Sequence, residues 1–146
     1  MNRQEIIAAL NDNLSAELSA VEMYSAHTRA IPEASIAGGV RAIMQVEQRH
    51  ARDLAERIRA LGGTPAEPGG AETVAGRAAG AATARASTAE MLRLELAEEQ
   101  QAIKDYAAEI AEIMDDEETL DMLQEHLNDE IEHSRWMKAQ LAALEG

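Results

Sequence analysis

Glu-x-x-His occurs twice in this chain, as Glu47-Gln48-Arg49-His50 and as Glu130-Ile131-Glu132-His133, each inside an amphipathic helical pattern. On a helix, positions i and i+3 share a face, so each motif presents a carboxylate and an imidazole in the same direction. A lone glutamate on the preceding helix accompanies each copy. Two such motifs and two lone glutamates make a ligand set for a pair of metal ions inside a four-helix bundle.

The rest of the sequence agrees with that architecture. A chain of 146 residues is one domain, long enough to bury a real core. It is poor in β-branched residues, rich in Ala, Leu, Glu and Arg, and without Phe, which suits helices and little else. A net charge of -14 argues against nucleic acid or an anionic membrane as partner and favours cations. With no cysteine, disulfides, iron–sulfur clusters and thiolate-bound zinc are excluded. The N-terminus has no apolar signal-peptide core, and no apolar run is long enough to span a bilayer. The expectation is a soluble, cytoplasmic protein.

Apolar periodicity predicts four helices. The first runs from about Arg3 to Ala30, with Ile6, Leu10, Leu14, Val21 and Tyr24 on its stripe and Glu17 in the gap. Pro32 marks a turn. The second runs from about Ser35 to Leu61, with Ile36, Val40, Ile43, Leu54, Ile58 and Leu61 on its stripe. Glu47 and His50 fill the missing positions, and Gly62-Gly63 stops the helix. The third starts at the capping box Ser87-Thr88-Ala89-Glu90 and carries Leu92, Leu96, Ile103, Tyr106, Ile110 and Ile113, with Glu99 in the open position. Asp115-Asp116 make the next turn and an N-cap. The fourth runs to about Leu144, with Leu120, Leu123, Leu127, Met137, Leu141 and Leu144. Glu130 lies on its stripe and His133 at the edge.

Residues 62–86 are rich in Gly and Ala, with Pro65 and Pro68. At roughly 25 residues this is far too long for a hairpin turn. It suits the single long crossover of a bundle whose two hairpins start at the same end. A disordered linker between two hairpins is the bland alternative, and the alanines of 71–86 leave some helix open.

Turn symmetry sets the heights of the polar residues. The midpoint of positions 17 and 47 is 32, in the first turn, and that of 99 and 130 is 114.5, in the second. All four glutamates therefore lie about 15 residues, roughly 22 Å, from their turns. Glu95 and Glu98 rival Glu99, which fits periodicity and turn symmetry better; Glu95 remains open as an extra or supporting ligand. Four unpaired carboxylates at one buried level would cost several kcal/mol each, on the order seen for buried charges. Divalent cations are the simplest remedy. Oxygen-rich donors with one imidazole per ion suit iron or manganese.

These stretches resemble the bacterioferritin branch of the ferritin-like superfamily over nearly the whole chain. The resemblance rests on Glu17-Leu18-Ser19-Ala20-Val21-Glu22-Met23-Tyr24, Glu47-Gln48-Arg49-His50-Ala51, Met91-Leu92-Arg93-Leu94-Glu95-Leu96-Ala97-Glu98-Glu99, and Asp129-Glu130-Ile131-Glu132-His133 with Trp136. It implies an all-α ferritin-like four-helix bundle with a di-iron centre. By this resemblance Glu47 and Glu130 bridge two ions, Glu17 and His50 terminate one, and Glu99 and His133 the other. The family's haem ligand, a Met beside the second-helix Glu, is replaced by Gln48, so no haem is expected. The chain ends 13 residues beyond His133. The pore-lining fifth helix of a 24-subunit cage is therefore not expected, and a homodimer or small homo-oligomer is.

The activity the resemblance implies is ferroxidase: Fe(II) oxidised to Fe(III) with O2 or H2O2, in iron homeostasis. A rubrerythrin-like peroxidase or manganese catalase is the competing enzyme. The absent cysteines count against it, because rubrerythrins usually carry a four-cysteine rubredoxin domain. A metal-stabilised interaction module without turnover is the non-enzymatic reading. Tyr24, two turns from Glu17 on the same stripe, either hydrogen-bonds a ligand or carries an electron, or is simply core. Asp129, Glu98 and His126 are candidates to support the ligands from behind. His27 and His126 otherwise read as ordinary helix residues.

Overall fold

The computed structural model describes all 146 residues. Its helices are α1 (Arg3–Ala30), α2 (Ala34–Ala60), α3 (Ala71–Thr83), α4 (Thr88–Glu112) and α5 (Glu117–Glu145). The four long ones are the predicted hairpins, α1–α2 and α4–α5, and there is no strand. Local chemistry sets their ends. Asn2 and Glu5 form a reciprocal capping box at 2.9 and 2.7 Å, Ser87 Oγ accepts from Glu90 N, and Asp116 accepts from Thr119 N. After α2 the chain turns through Gly62 at φ 88°. Gly63 N donates to Ile58 O at 2.9 Å and Gly62 N to Arg59 O at 3.0 Å, a Schellman stop that a side chain at Gly62 would strain.

The core has two apolar halves. One gathers Met23, Tyr24, Val40, Leu92 and Met137; the other Leu10, Leu14, Leu54, Ile58, Tyr106 and Leu123. Between them lies the polar level predicted from turn symmetry. The expected stripes need small corrections. Val21, Leu61, Leu96, Ile103, Ile110, Leu120 and Leu127 are only partly buried, and Leu144 is exposed. Ala20 and Met23 occupy the core beside the place expected for Val21.

The crossover is not a bare linker, because its middle is a 13-residue helix, α3, packed along α1. It has no large apolar stripe. Instead, Thr73, Gly76 and Gly80 form its buried face. A Cβ on Gly76 would fall on the backbone of Ser19, and one on Gly80 would lie 2.9 Å from Ala26 Cβ and 3.0 Å from Met23 Cα. The missing side chains let two backbones touch, which explains why hydrophobic periodicity could not reveal the contact. Part of the α1 flank is thus covered from within the chain.

Gly76→Ala should destabilise the fold by about 1–3 kcal/mol through overpacking, despite alanine's better helix propensity. Gly38→Ala on α2, with nothing within 4 Å of the added Cβ, should be neutral or stabilising by up to about 1 kcal/mol. Urea unfolding of both variants checks the contrast.

Candidate metal centre

The six predicted ligands converge. Glu17 comes from α1, Glu47 and His50 from α2, Glu99 from α4, and Glu130 and His133 from α5. Each is at most 8 % exposed. Their donor atoms fall into two groups, Glu17–Glu47–His50–Glu130 and Glu47–Glu99–Glu130–His133, with atoms inside each group within 4.8 Å of one another. Glu47 and Glu130 belong to both. His50 Nδ1 lies 3.0 Å from Glu130 and 3.7 Å from Glu17, and His133 Nδ1 lies 3.1 Å from Glu47 and 3.5 Å from Glu99. Glu17 Oε2, Glu47 Oε1, Glu99 Oε2, Glu130 Oε1 and both Nδ1 atoms are buried with no hydrogen-bond partner. Buried polar atoms are otherwise almost always paired. Six converging orphans of this chemistry fit two cations.

Protons perform part of that role without metal. Burial pushes Glu47 and Glu130 well above the usual carboxylate range, and the charge of Glu17 pushes the same way. Glu17 itself is lowered: burial opposes its charge, but contacts with Glu47 and His50 outweigh that. Burial also disfavours charge on His50, yet Glu130 and Glu17 hold it up to about 10. Each such proton competes with a cation for the same lone pair.

Both buried tyrosines bind a carboxylate of this cluster from the opposite hairpin. Tyr24 OH donates to Glu99 Oε1 at 3.1 Å, and Tyr106 OH donates to Glu17 Oε1 at 3.0 Å. Burial and the neighbouring glutamates push both phenols well above their ordinary range, so they stay protonated donors. Tyr24 thus makes one of the contacts left open for it in the sequence, a hydrogen bond to Glu99. Tyr106, expected as plain core, does the same. The missed signal was an internal repeat: Glu99 and Tyr106 follow Glu17 and Tyr24 by 82 positions, and Glu130 and His133 follow Glu47 and His50 by 83. The two hairpins are quasi-equivalent halves around the site.

The repeat also explains two flanking polar pairs between α1 and α4. Asn13 donates to Glu109 at 2.6 Å, and His27 Nδ1 lies 2.6 Å from Glu95. Burial raises Glu109 to about 7, against the Asn13 hydrogen bond. Glu95 is therefore buried one turn from Glu99 but tied to His27, outside both ligand groups. Thr83 at the end of α3 donates to Ala79 O, so its oxygen accepts from His27 Nε2 at 2.7 Å. His27 is not an ordinary helix residue: it is 0 % exposed and joins α1, α3 and α4.

His126 is likewise no ordinary residue. It is 1 % exposed, stacks on His50 with centroids 3.9 Å apart, and reaches Asp53 at 3.2 Å and Tyr106 OH at 3.3 Å. Burial, then the charge of His50, lowers it to about 4. Asp129 Oδ2 accepts from His50 Nε2 at 2.8 Å and from Arg49 at 2.7 Å. Glu98 stands beside the clustered carboxylates without joining either group. It lines a cavity of about 40 Å³ that reaches Glu17, Glu47, Glu99 and Glu130 between α1 and α4, past Ala16, Ala20 and Ala102.

Comparison with known proteins bears on this arrangement. The family model described as ferritin, ferritin-like domain, matches residues 7–146. No curated protein matches. Among solved structures, the fold is similar to that of the dodecameric thioferritin, a bacterioferritin-related protein of Bacteroides fragilis, with 21% identity and TM-score 0.84 over 99% of this chain and 88% of that one. It is similar to the bacterioferritin BfrA of Mycobacterium tuberculosis, with 23% identity and TM-score 0.79 over 99% and 89%. It is also similar to the ferritin-like, diiron-carboxylate proteins of Bacillus anthracis str. Ames, with 26% identity and TM-score 0.76 over 97% and 99%. The first two likenesses show the fold alone.

Proposed function

The chain belongs to the ferritin-like domain family, and we propose that within it the protein is a ferroxidase, oxidising Fe(II) to Fe(III) with O2 or H2O2 at a two-ion site. The observation that carries this reading is the set of six orphaned buried donors, arranged as two groups sharing Glu47 and Glu130. Glu17 and His50 would hold one ion, Glu99 and His133 the other, and Glu47 and Glu130 both. Iron fits the oxygen-rich set best, and manganese is the other metal it admits. Two Fe(II) ions are the substrate, each giving one electron, so O2 takes two electrons and two protons to leave as H2O2.

The protein's own groups do the rest. They fix both ions at one distance before the oxidant arrives, which removes an encounter step. Tyr24 and Tyr106 orient Glu99 and Glu17 by donating to one oxygen of each, leaving the other free. The apolar halves above and below exclude bulk water. Protons displaced from Glu47, Glu130 and His50 by cations have a route outward through Tyr106, His126 and the part-exposed Asp53. No haem is proposed, since Gln48 stands where bacterioferritins place the haem Met. A small homo-oligomer in the cytoplasm is the assembly we propose.

The test is the rate of Fe(II) oxidation by O2. Glu17→Ala, Glu99→Ala, His50→Ala and His133→Ala should each slow it. Added salt should slow it too, because the charge of -14 draws Fe(II) in through a screened field. Variants that all oxidise Fe(II) as fast as the parent would refute the assignment. Catalytic peroxide consumption without accelerated iron oxidation would favour a peroxidase or manganese catalase.

A further inference from the structure

The internal repeat shapes the way into the centre as well as the centre itself. Ala20 follows Glu17 by three residues and Ala102 follows Glu99 by three, so each methyl shares a helix face with a glutamate of the cluster. The offset of 82 carries Ala20 onto Ala102 and Ala16 onto Glu98. Both pairs line the cavity of about 40 Å³ between α1 and α4, so residues equivalent by the repeat share one passage. Its outer rim is formed by Ala16, Glu98 and Gln101, all exposed, whereas Ala102 is half-buried and Ala20 buried. Its floor is Glu17, Glu47, Glu99 and Glu130, each with a buried oxygen that has no hydrogen-bond partner. Four larger cavities elsewhere touch none of the six clustered residues.

We propose that Ala20 and Ala102 form a size filter for the oxidant, admitting O2 and H2O2 to the two-ion site and shutting out alkyl hydroperoxides. This rests on the ferroxidase reading above. The physical cause is volume. A water-sized group takes roughly 10–15 Å³ of such a space, so the passage holds about three of them. That suffices for O2 or H2O2, and not for the branched carbon of tert-butyl hydroperoxide. The electron balance itself does not discriminate. Two Fe(II) ions give one electron each, the O–O bond of either peroxide breaks, and two protons complete two waters, or one water and tert-butanol. Selection therefore falls on entry. The walls hold their spacing, because Tyr24–Glu99 and Tyr106–Glu17 hydrogen bonds tie α1 to α4. Behind α1, the backbone of α3 at Gly76 leaves no room even for a methyl group.

Rapid mixing of the anaerobic Fe(II)-loaded protein with O2, H2O2 or tert-butyl hydroperoxide tests this, with each rate taken relative to free Fe(II) in the same buffer. The protein should favour H2O2 over tert-butyl hydroperoxide by at least about 100-fold, since one methylene of misfit alone is worth about 10–200-fold. Ala102→Gly and Ala20→Gly should each reduce that preference by about tenfold or more. Ala102→Leu should slow oxidation by O2 and by H2O2 about tenfold or more, with equilibrium Fe(II) uptake still about two per chain. The same added bulk in Ala108→Leu, on the exposed side of α4, should leave the rates unchanged. Melting curves report whether each variant folds, and if Ala102→Leu does not, the two glycine variants decide. Equal relative rates with both peroxides, a preference unmoved by either glycine variant, or a folded Ala102→Leu protein as fast as the parent would overturn the filter while leaving the ferroxidase reading standing. Oxidation by O2 and H2O2 no faster than in buffer would overturn both.

Discussion

Glu47→Ala should lose nearly all Fe(II) binding at concentrations where the parent takes up about two ions per chain. Glu47 belongs to both donor groups, so its loss leaves each with three residues and one fewer negative charge. Glu99→Ala removes a donor from one group only, and should retain one ion. The loss is separable from misfolding. In the metal-free protein Glu47 is 2 % exposed, and burial and neighbouring carboxylates oppose its ionisation. Glu47→Gln keeps the volume and discards that burden, so the metal-free variant should be at least as stable as the parent at pH 8. Anaerobic equilibrium dialysis against Fe(II), with thermal melts of the same samples, checks both halves. A Glu47→Ala protein that still binds two ions would show that the shared carboxylate is misassigned.

Metal should stabilise the fold substantially, and more so at higher pH. Glu47, Glu130, Glu109 and His50 all bind protons more tightly folded than unfolded. A group of that kind lends stability that is lost as pH rises from its unfolded value towards its folded one. His126, lowered to about 4, acts the other way, but only below its ordinary value of 6.5. Between pH 6.5 and 8 the raised groups act alone, so the metal-free protein should melt at progressively lower temperature. A divalent cation that binds only the folded chain adds about 2.7 kcal/mol at a hundredfold excess over Kd, or roughly 5–10 °C in Tm for a chain of this size. Because protons compete for the same oxygens, the gain should grow from pH 6 to pH 8. Melting curves with and without Mn(II) at both pH values measure it. A Tm that rises with pH in the metal-free protein, or a metal effect that shrinks, would contradict this account of the buried charges.

The parts of this molecule that were legible in the sequence are those that one helix writes by itself. Glu17, Glu47, Glu99 and Glu130 interrupt apolar stripes, and two turns at known positions fix their common height. Helix ends were readable where a cap is local, as at Ser87, Asp116 and Gly62. What stayed hidden depends on a partner from elsewhere in the chain. The α1–α3 contact is made by what Gly76 and Gly80 lack, which leaves no trace in hydropathy. His27 and His126 look alike on their own helices, and only Glu95, Thr83, Asp53 and the His50 ring give them roles. Tyr106 was placed correctly in the core, but its hydroxyl contact with Glu17 needed the alignment of the two hairpins. The partly buried Leu96 and Ile103 show the limit of periodicity: two of four sides of a bundle helix are sheltered, and a stripe does not say how far each side is covered.

Uptake of two Fe(II) ions by one chain, and their joint oxidation, is open to direct measurement. Anaerobic addition of Fe(II) to the metal-free protein, followed by rapid mixing with O2 and recording of the near-ultraviolet ferric absorption, tests it most directly. The fast phase should grow with each Fe(II) added up to about two per chain and then saturate, since the donor set is shared by two ions. It should run well ahead of oxidation in buffer at the same pH. An absorbance that grows no faster than in buffer, or a fast phase with no break at two ions, would contradict the account.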